Sequence, residues 1–183
     1  MMDKIIVYIF FFLVYCAQDL SSQSKFHIEL DYHYMFGLSE KGDVADFNRS
    51  ENKMYGNSLH LSGIYRMSDM FSAGIGIGAD RYENPGYNTF PVFATIQHFP
   101  LQIFPEGYVY TDAGYAFKTS DATPGFLWNL GIGYKRMFRE HFGLKAQFGY
   151  NLKQLKSNRW IVEDTRNPSQ HRHSLMLGVG VIF

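Results

Sequence analysis

The stretch AGIGIGAD, residues 73–80, has three glycines at alternate positions. Gly74, Gly76 and Ala79 fit a loose dinucleotide-binding pattern, G-x-G-x-x-A, in which glycines let a loop approach a pyrophosphate at the start of a helix. The same alternation fits a β-strand, because successive side chains of a strand point to opposite faces. No helical pattern follows, and the chain soon reaches a turn at residues 84–86. The stretch is therefore interpreted as a strand.

This two-residue alternation recurs through most of the chain after residue 25. In 142–153, for example, Leu144, Ala146 and Phe148 share one face, while Lys145 and Gln147 share the other. Such a pattern is typical of strands that meet an apolar medium on one side only. It predicts eight strands, at residues 26–37, 57–67, 71–82, 89–99, 107–118, 125–137, 142–153 and 171–183.

The connections between these strands alternate in length. Short links are expected at residues 68–69 and 139–141 and one of middling length at 100–106, while 38–56, 82–89, 118–125 and 154–170 are longer and polar. An even number of strands, each of about ten residues, with short turns at one end and longer loops at the other, is typical of an up-and-down outer-membrane barrel. The predicted fold class is thus all-β, an eight-stranded antiparallel transmembrane β-barrel at residues 25–183.

The alternation alone leaves two architectures open. A soluble lipocalin-like barrel would enclose its apolar face around a ligand, whereas a membrane barrel presents that face to lipid. The glycines favour the membrane barrel. Gly74, Gly76 and Gly78 share a face with Asp80, and in a narrow eight-stranded lumen glycine makes room for long polar groups from facing strands.

The luminal face also carries charged and polar side chains of both signs, so ion pairs can form there. We expect Glu29 to pair with Arg66, and Asp112 with Lys135, with Lys145 joining either pair. Single side chains solvated in a wet interior are the alternative. The predicted lumen network consists of Glu29, Asp31, Arg66, Asp80, Asp112, Lys135, Lys145 and Gln147.

The first 24 residues are expected to be a signal peptide. An apolar run from residue 5 to 17 is too short for a membrane-spanning helix and is followed by small polar residues. Cys16, the only cysteine, lies in this run after a tyrosine, so neither a lipoprotein nor an intrachain disulfide is expected. Seventeen basic residues balance seventeen acidic ones, which gives no support to nucleic-acid binding.

Aromatic side chains are predicted to lie near the strand ends on the apolar face. Tyrosine and tryptophan favour membrane interfaces because one end of the side chain is apolar and the other can be hydrated. The predicted girdle residues are Phe26, Tyr34, Phe36, Tyr65, Phe71, Phe90, Tyr115, Phe117, Trp128, Tyr134, Tyr150 and Phe183.

The last strand, HSLMLGVGVIF at residues 173–183, ends on an aromatic residue after alternating apolar ones. It resembles the signal read by the outer-membrane assembly machinery, carried here by Leu175, Leu177, Val179, Val181 and Phe183. Together with the segments PVFATIQHFP, GYVYTDAGYAF, FLWNLGIGYKRMF and FGLKAQFGYNLKQL, the chain is similar to small Bacteroidetes-type outer-membrane barrel proteins, distantly like OmpA and OmpX in architecture. The resemblance implies outer-membrane lipid and the assembly machinery as partners and assigns no activity. No peptidoglycan-binding domain is expected.

Two arrangements of reactive side chains are weighed as alternatives. His173 and Ser174, with Glu163 or Asp164 as orienting acid, would suit a rim-located lipid acyl hydrolase, but neighbouring residues of a strand point to opposite faces. His171 with His173, or His27 with His33, offers only two ligands for a metal ion. The sequence thus predicts no catalytic residue, metal or cofactor.

The expected function is a structural or surface-interaction role in the cell envelope. The longest polar stretches, 38–56 and 154–170, are the expected contacts with an extracellular partner. The second of them contains Trp160, Ile161 and Val162 in a polar context.

Overall fold

The computed structural model describes residues 25–43, 46–101, 103–120, 122–139, 142–156 and 168–183. The predicted signal peptide, Cys16, the segment Trp160–Val162, Glu163 and Asp164 lie outside these residues. The elements are β1 (Phe26–Gly42), β2 (Phe47–Asn48), α1 (Arg49–Asn52), β3 (Tyr55–Arg66), β4 (Phe71–Glu83), β5 (Tyr87–Thr89), β6 (Pro91–His98), β7 (Gly107–Ala116), β8 (Gly125–Arg139), β9 (Phe142–Lys156) and β10 (Ser169–Ile182).

Eight of these strands form a closed antiparallel barrel. Going around the wall, the order is β1, β3, β4, β6, β7, β8, β9 and β10, and each strand pairs with the next along the chain. β10 closes the ring by pairing with β1, where Tyr34 is opposite Leu177. The short strands β2 and β5 add to β1 and β4 at the end with the longer loops. The predicted eight-stranded antiparallel barrel is confirmed.

β1, β9 and β10 extend further at the long-loop end than the sequence predicts, whereas β6 and β7 are shorter there. Residues 38–42 were expected in a loop but continue β1, and 154–156 and 169–170 continue β9 and β10. A register shift between Gly37 and Ser39 accommodates this extension. Apolar alternation stops where a strand leaves lipid, yet the backbone continues to satisfy its hydrogen bonds by pairing. The connections after β1 and after β9 are correspondingly shorter than predicted.

The exterior of the barrel is apolar and the interior is polar. Ile75 is 73% exposed, Leu130 42% and Phe148 51%, whereas Glu29 is 0% exposed and Lys145 5%. A soluble barrel would enclose the first three side chains, so the lipocalin-like alternative is wrong. A closed antiparallel barrel with an apolar outer surface and a polar interior is a transmembrane barrel of the outer-membrane type, and we place the chain in an outer membrane.

Aromatic rings lie on the outer surface near both ends of the wall. At the end with the short turns, Phe71 stacks on His98 and Phe104 on Tyr134, with ring centroids 4.4 and 5.6 Å apart. At the other end, Tyr115 meets Phe117 edge to face. In the part of the chain that the structure describes, no helix combines the length and apolarity needed to cross a membrane.

Candidate functional site in the barrel lumen

Glycines on the luminal face leave space for rings of neighbouring strands. Gly76 is opposite Phe93 and Gly78 opposite His60. A Cβ atom added at either glycine would lie 2.5 Å from the opposing ring, closer than atoms can approach. The sequence-based expectation was room for long polar groups from facing strands. The space is instead taken partly by aromatic and imidazole rings that lie over the glycine of the adjacent strand.

Two further glycines let polar side chains meet across an intervening strand. Gly180 of β10 lies in register between Asp31 of β1 and Lys145 of β9, and the ammonium and carboxylate are 2.7 Å apart. In the next row, Gly178 lies between His33 and Gln147. In each row the middle residue is a glycine, so no side chain separates the polar groups of the two strands on either side of it.

A charged cluster occupies the half of the lumen near the short turns. Lys145 forms ion pairs with both Glu29 and Asp31. Lys135 Nζ lies 3.6 Å from a carboxylate oxygen of Glu29 and donates to Gln97 at 2.9 Å. Gln97 in turn donates to Glu29 at 3.1 Å. Two ammonium groups and an amide therefore compensate the buried Glu29 carboxylate, as a charge in this setting requires.

A second cluster surrounds Asp80 in the middle of the lumen. The carboxylate accepts hydrogen bonds from Ser58 at 2.6 Å and Thr89 at 3.1 Å, and His60 Nε2 lies 2.9 Å from it. The His60 ring meets His33 edge to face, with centroids 5.4 Å apart. Imidazole rings thus connect Asp80 to the row that contains His33.

An amide network lines the opposite wall. Asn129 donates to Asp112 at 3.0 Å, Asn151 donates to Asn129 at 2.7 Å, and the Tyr82 hydroxyl donates to Asn151 at 3.4 Å. Between this network and the two charged clusters is a cavity of about 10 Å³, lined in part by Asp31 and His60. That volume corresponds to about one water molecule, so side chains fill the lumen at this level.

Arg172 closes the lumen towards the long loops. Its guanidinium donates to the backbone carbonyls of Tyr55 at 3.0 Å and Glu83 at 2.6 Å, and lies 3.6 Å from the Glu40 carboxylate. It also lies over the Tyr82 ring, 5.4 Å from the centroid. Planar, multidentate Arg suits this bridging of several acceptors.

This arginine and two other buried charged residues, Glu40 and Lys153, are not part of the predicted lumen network. Arg172 shares strand parity with Gly178 and Gly180, which is a signal for a luminal position. Glu40 lies in a predicted loop, where the sequence does not indicate which face of the wall a side chain takes.

Two predicted ion pairs are wrong. Arg66 is not in the lumen: its side chain is 57% exposed and pairs with Asp69 in the turn, because β3 ends at the rim and the arginine reaches water there. Asp112 binds Asn129 rather than Lys135, and Lys135 binds Glu29 and Gln97 instead. The structure places six predicted lumen residues in the buried interior, namely Glu29, Asp31, Asp80, Asp112, Lys145 and Gln147, and a seventh, Lys135, is mostly buried against Glu29.

The rim residues weighed for catalysis do not come together. Ser174 is fully buried inside the barrel, while His173 faces outward and hydrogen-bonds Tyr150. They point to opposite sides of β10, so they form no nucleophile–base pair. His27 bonds Glu29 at 3.0 Å, and within the described residues no group of three or more potential ligands could hold a metal ion.

The residues of the predicted assembly signal follow one side of β10. Leu175, Leu177 and Val179 are exposed on the outer surface. Phe183 exchanges two backbone hydrogen bonds with Ile28, at 2.9 and 3.0 Å, and so fixes the chain end against β1. Recognition by the assembly machinery remains a prediction.

No protein-family model and no curated protein matches the sequence. Among solved structures, Neisserial surface protein A is 17% identical, with a TM-score of 0.45, over 87% of this chain and 99% of that one. A de novo designed transmembrane β-barrel is 13% identical, with a TM-score of 0.45, over 86% and 95%. The N-terminal β-barrel domain of Pseudomonas aeruginosa OprF is 18% identical, with a TM-score of 0.38, over 86% and 97%.

Proposed function

We propose that this chain is an outer-membrane barrel that does not conduct solutes and has a structural or surface-interaction role in the envelope. The observation that carries the proposal is the filled lumen. Lys145, Glu29 and Asp31 occupy one half of it, Asp80 and its partners the middle, and Arg172 bridges the wall towards the long loops. A solute would have to displace paired buried charges, which is costly.

The long loops face the outside of the cell in this proposal, as in bacterial outer-membrane barrels with short periplasmic turns. The segment 46–54 before β3 lies at that end, where β9 also ends and β10 begins. An extracellular partner would meet these segments. Loop residues are tolerant of change and commonly carry binding functions on a rigid scaffold, and the paired lumen supplies that rigidity here.

Single-channel recording in planar bilayers tests the closed lumen. The wild-type barrel is expected to add no stable conductance steps in molar salt. Regular steps of uniform size would contradict the proposal. Arg66→Ala is likewise expected to add no conductance steps, because this side chain lies at the rim with Asp69 and outside the lumen.

Surface labelling tests the orientation independently. The sequence contains one cysteine, Cys16, in the predicted signal peptide, so a new cysteine gives a unique label after cleavage. Glu51→Cys in α1 is expected to react with a bulky maleimide on intact cells, and Asp69→Cys in the opposite turn only after lysis. The reverse pattern would overturn the orientation.

The acyl-hydrolase alternative receives no support from the arrangement of His173 and Ser174. Assay of phospholipid and lipid A hydrolysis, with His173→Ala as the comparison, tests it. A wild-type activity that His173→Ala removes would replace the proposed function with an enzymatic one.

A further inference from the structure

Basic side chains gather on the outer surface of β1, β9 and β10 at the long-loop end. Lys41 is opposite His171, and Lys156 is opposite Ser169 one row further from the membrane. Lys41, Lys156 and His171 are exposed, and they alternate with buried neighbours that point into the lumen. We call Lys41, Lys156, His171 and the adjacent His173 the basic rim patch.

Within the part of the chain that the structure describes, the patch has two lysines and one neighbouring carboxylate, that of Asp43. None of Lys41, Lys156 and His171 forms an ion pair there, although Asp43 is nearby and uses its carboxylate to accept from the Ser169 backbone at 3.0 Å. On another side of the same rim, Arg81 is bound by Glu83 at 2.7 Å and by Asn88 at 2.9 Å. The rim thus carries a paired cation at Arg81 and an excess of unpaired positive charge at the patch.

The patch lies directly above the lipid-facing surface of the same strands. His173 hydrogen-bonds Tyr150, whose ring meets Trp128 edge to face with centroids 6.2 Å apart. Below them, Leu175 and Leu177 are exposed on the outer surface. A molecule that matches this order has acyl chains next to the leucines, an interfacial region next to the aromatic rings, and an anionic headgroup at the lysines.

We propose that the basic rim patch binds lipids of the outer leaflet whose phosphate headgroup carries a net negative charge. Each of the two lysines, close to a membrane surface, raises the binding constant for anionic lipid by a factor of about five. The histidines add hydrogen-bond donors to phosphate oxygens. The assignment of leaflet rests on the proposed orientation, whereas the binding itself does not. The barrel would thereby hold a preferred shell of anionic lipid on one side of its circumference.

Tryptophan quenching measures this binding beside the patch. The sequence has two tryptophans, so Trp160→Phe leaves Trp128 as the only reporter. The full chain is reconstituted into phosphatidylcholine vesicles in which a small fraction of lipid has brominated chains, either as phosphatidic acid or as phosphatidylcholine. Brominated phosphatidic acid is expected to quench Trp128 at a several-fold lower mole fraction than brominated phosphatidylcholine.

The triple variant Lys41→Gln, Lys156→Gln, His171→Gln is expected to lose this preference by at least about fivefold. Lys53→Gln with Lys118→Gln, which removes two lysines elsewhere at the same end, is expected to retain it. Folding of each variant is checked by its heat-dependent gel migration. Equal quenching by the two brominated lipids, or an unchanged preference in the triple variant, would overturn the proposal.

Two outcomes separate related explanations. Release of the quenching lipid by inorganic phosphate, at constant ionic strength, would overturn a site specific for membrane lipid, because the patch would then recognise the phosphate group alone. Both leaflets of these vesicles have the same composition, so the result does not depend on orientation. A negative result therefore removes the lipid site and leaves the proposed closed barrel standing, whereas channel recording and surface labelling decide that function separately.

Discussion

Replacing Lys145 by methionine removes the cation that two buried carboxylates share. Lys145 is 5% exposed and contacts both Glu29 and Asp31. After the change, Glu29 retains Lys135 at 3.6 Å and the Gln97 amide. Asp31 retains no cation within hydrogen-bonding distance among the described residues, and one of its oxygens already lacks a hydrogen-bond partner there.

The expected cost follows from this difference between the two carboxylates. Removing one partner of a buried ion pair costs about 3–5 kcal/mol. Because Lys135 continues to compensate Glu29, we expect Lys145→Met to lower the free energy of unfolding by about 3 kcal/mol, at the lower end of that range. Urea unfolding in lipid vesicles, followed by tryptophan fluorescence and by the heat-dependent shift on gels, measures this difference.

Two comparisons make the measurement specific to the pair. Arg66→Met removes an exposed cation whose partner Asp69 is 99% exposed, and it is expected to cost less than about 1 kcal/mol. Adding Asp31→Asn to Lys145→Met is expected to recover part of the loss, because the uncompensated charge is then gone. A Lys145→Met barrel as stable as wild type, or no recovery in the double variant, would refute the account of the lumen as a set of paired buried charges.

The remaining predictions concern the wall and its closure. Gly178→Ala should lower the free energy of unfolding by about 1–3 kcal/mol, since its new methyl group would meet the His33 ring. Adding His33→Ala should recover part of that loss in the same unfolding measurement. Val179→Arg, on the outer surface of β10, should lower the free energy of unfolding in vesicles by about 2–4 kcal/mol. An equal stability of this variant in detergent and in lipid would contradict the membrane-facing assignment. Arg172→Met should increase proteolysis of the loop ends it bridges, because the carbonyls of Tyr55 and Glu83 lose their donor; an unchanged digestion rate would show that other contacts hold them.

The wall of the barrel was predictable from the sequence because lipid imposes a strict requirement on one face. Each spanning strand must place apolar side chains outward at every second position, as Ile75 and Ile77 do, so the pattern is legible without an alignment. The strand ends were less legible. Residues 39–42 continue the pairing, but none of them is apolar, so the apolar pattern ends before the strand does.

The pairing of luminal charges was not predictable because it depends on register. Glu29 and Arg66 lie on neighbouring strands and are therefore predicted to form an ion pair, yet Arg66 reaches solvent at the rim. The actual partner, Lys145, is two strands away on the other side, beyond β10. A slip of a single residue would exchange the two faces of a strand, whereas a slip of two residues keeps the faces and changes every luminal neighbour. The alternation of apolar and polar residues therefore excludes a slip of one residue, but it does not distinguish registers that differ by two residues.

The luminal glycines supply part of the missing register information. In a narrow barrel, a side chain on the middle strand would separate polar groups on the strands either side of it. Asp31 and Lys145 meet where that middle residue is Gly180, and His33 and Gln147 meet where it is Gly178. These two glycines of β10 thus lie in rows where second-neighbour strands interact, whereas Gly76 and Gly78 of β4 are covered by rings of adjacent strands. The contact of Asp31 with Lys145 across Gly180 therefore depends on a residue with no side chain as well as on the two charged ones.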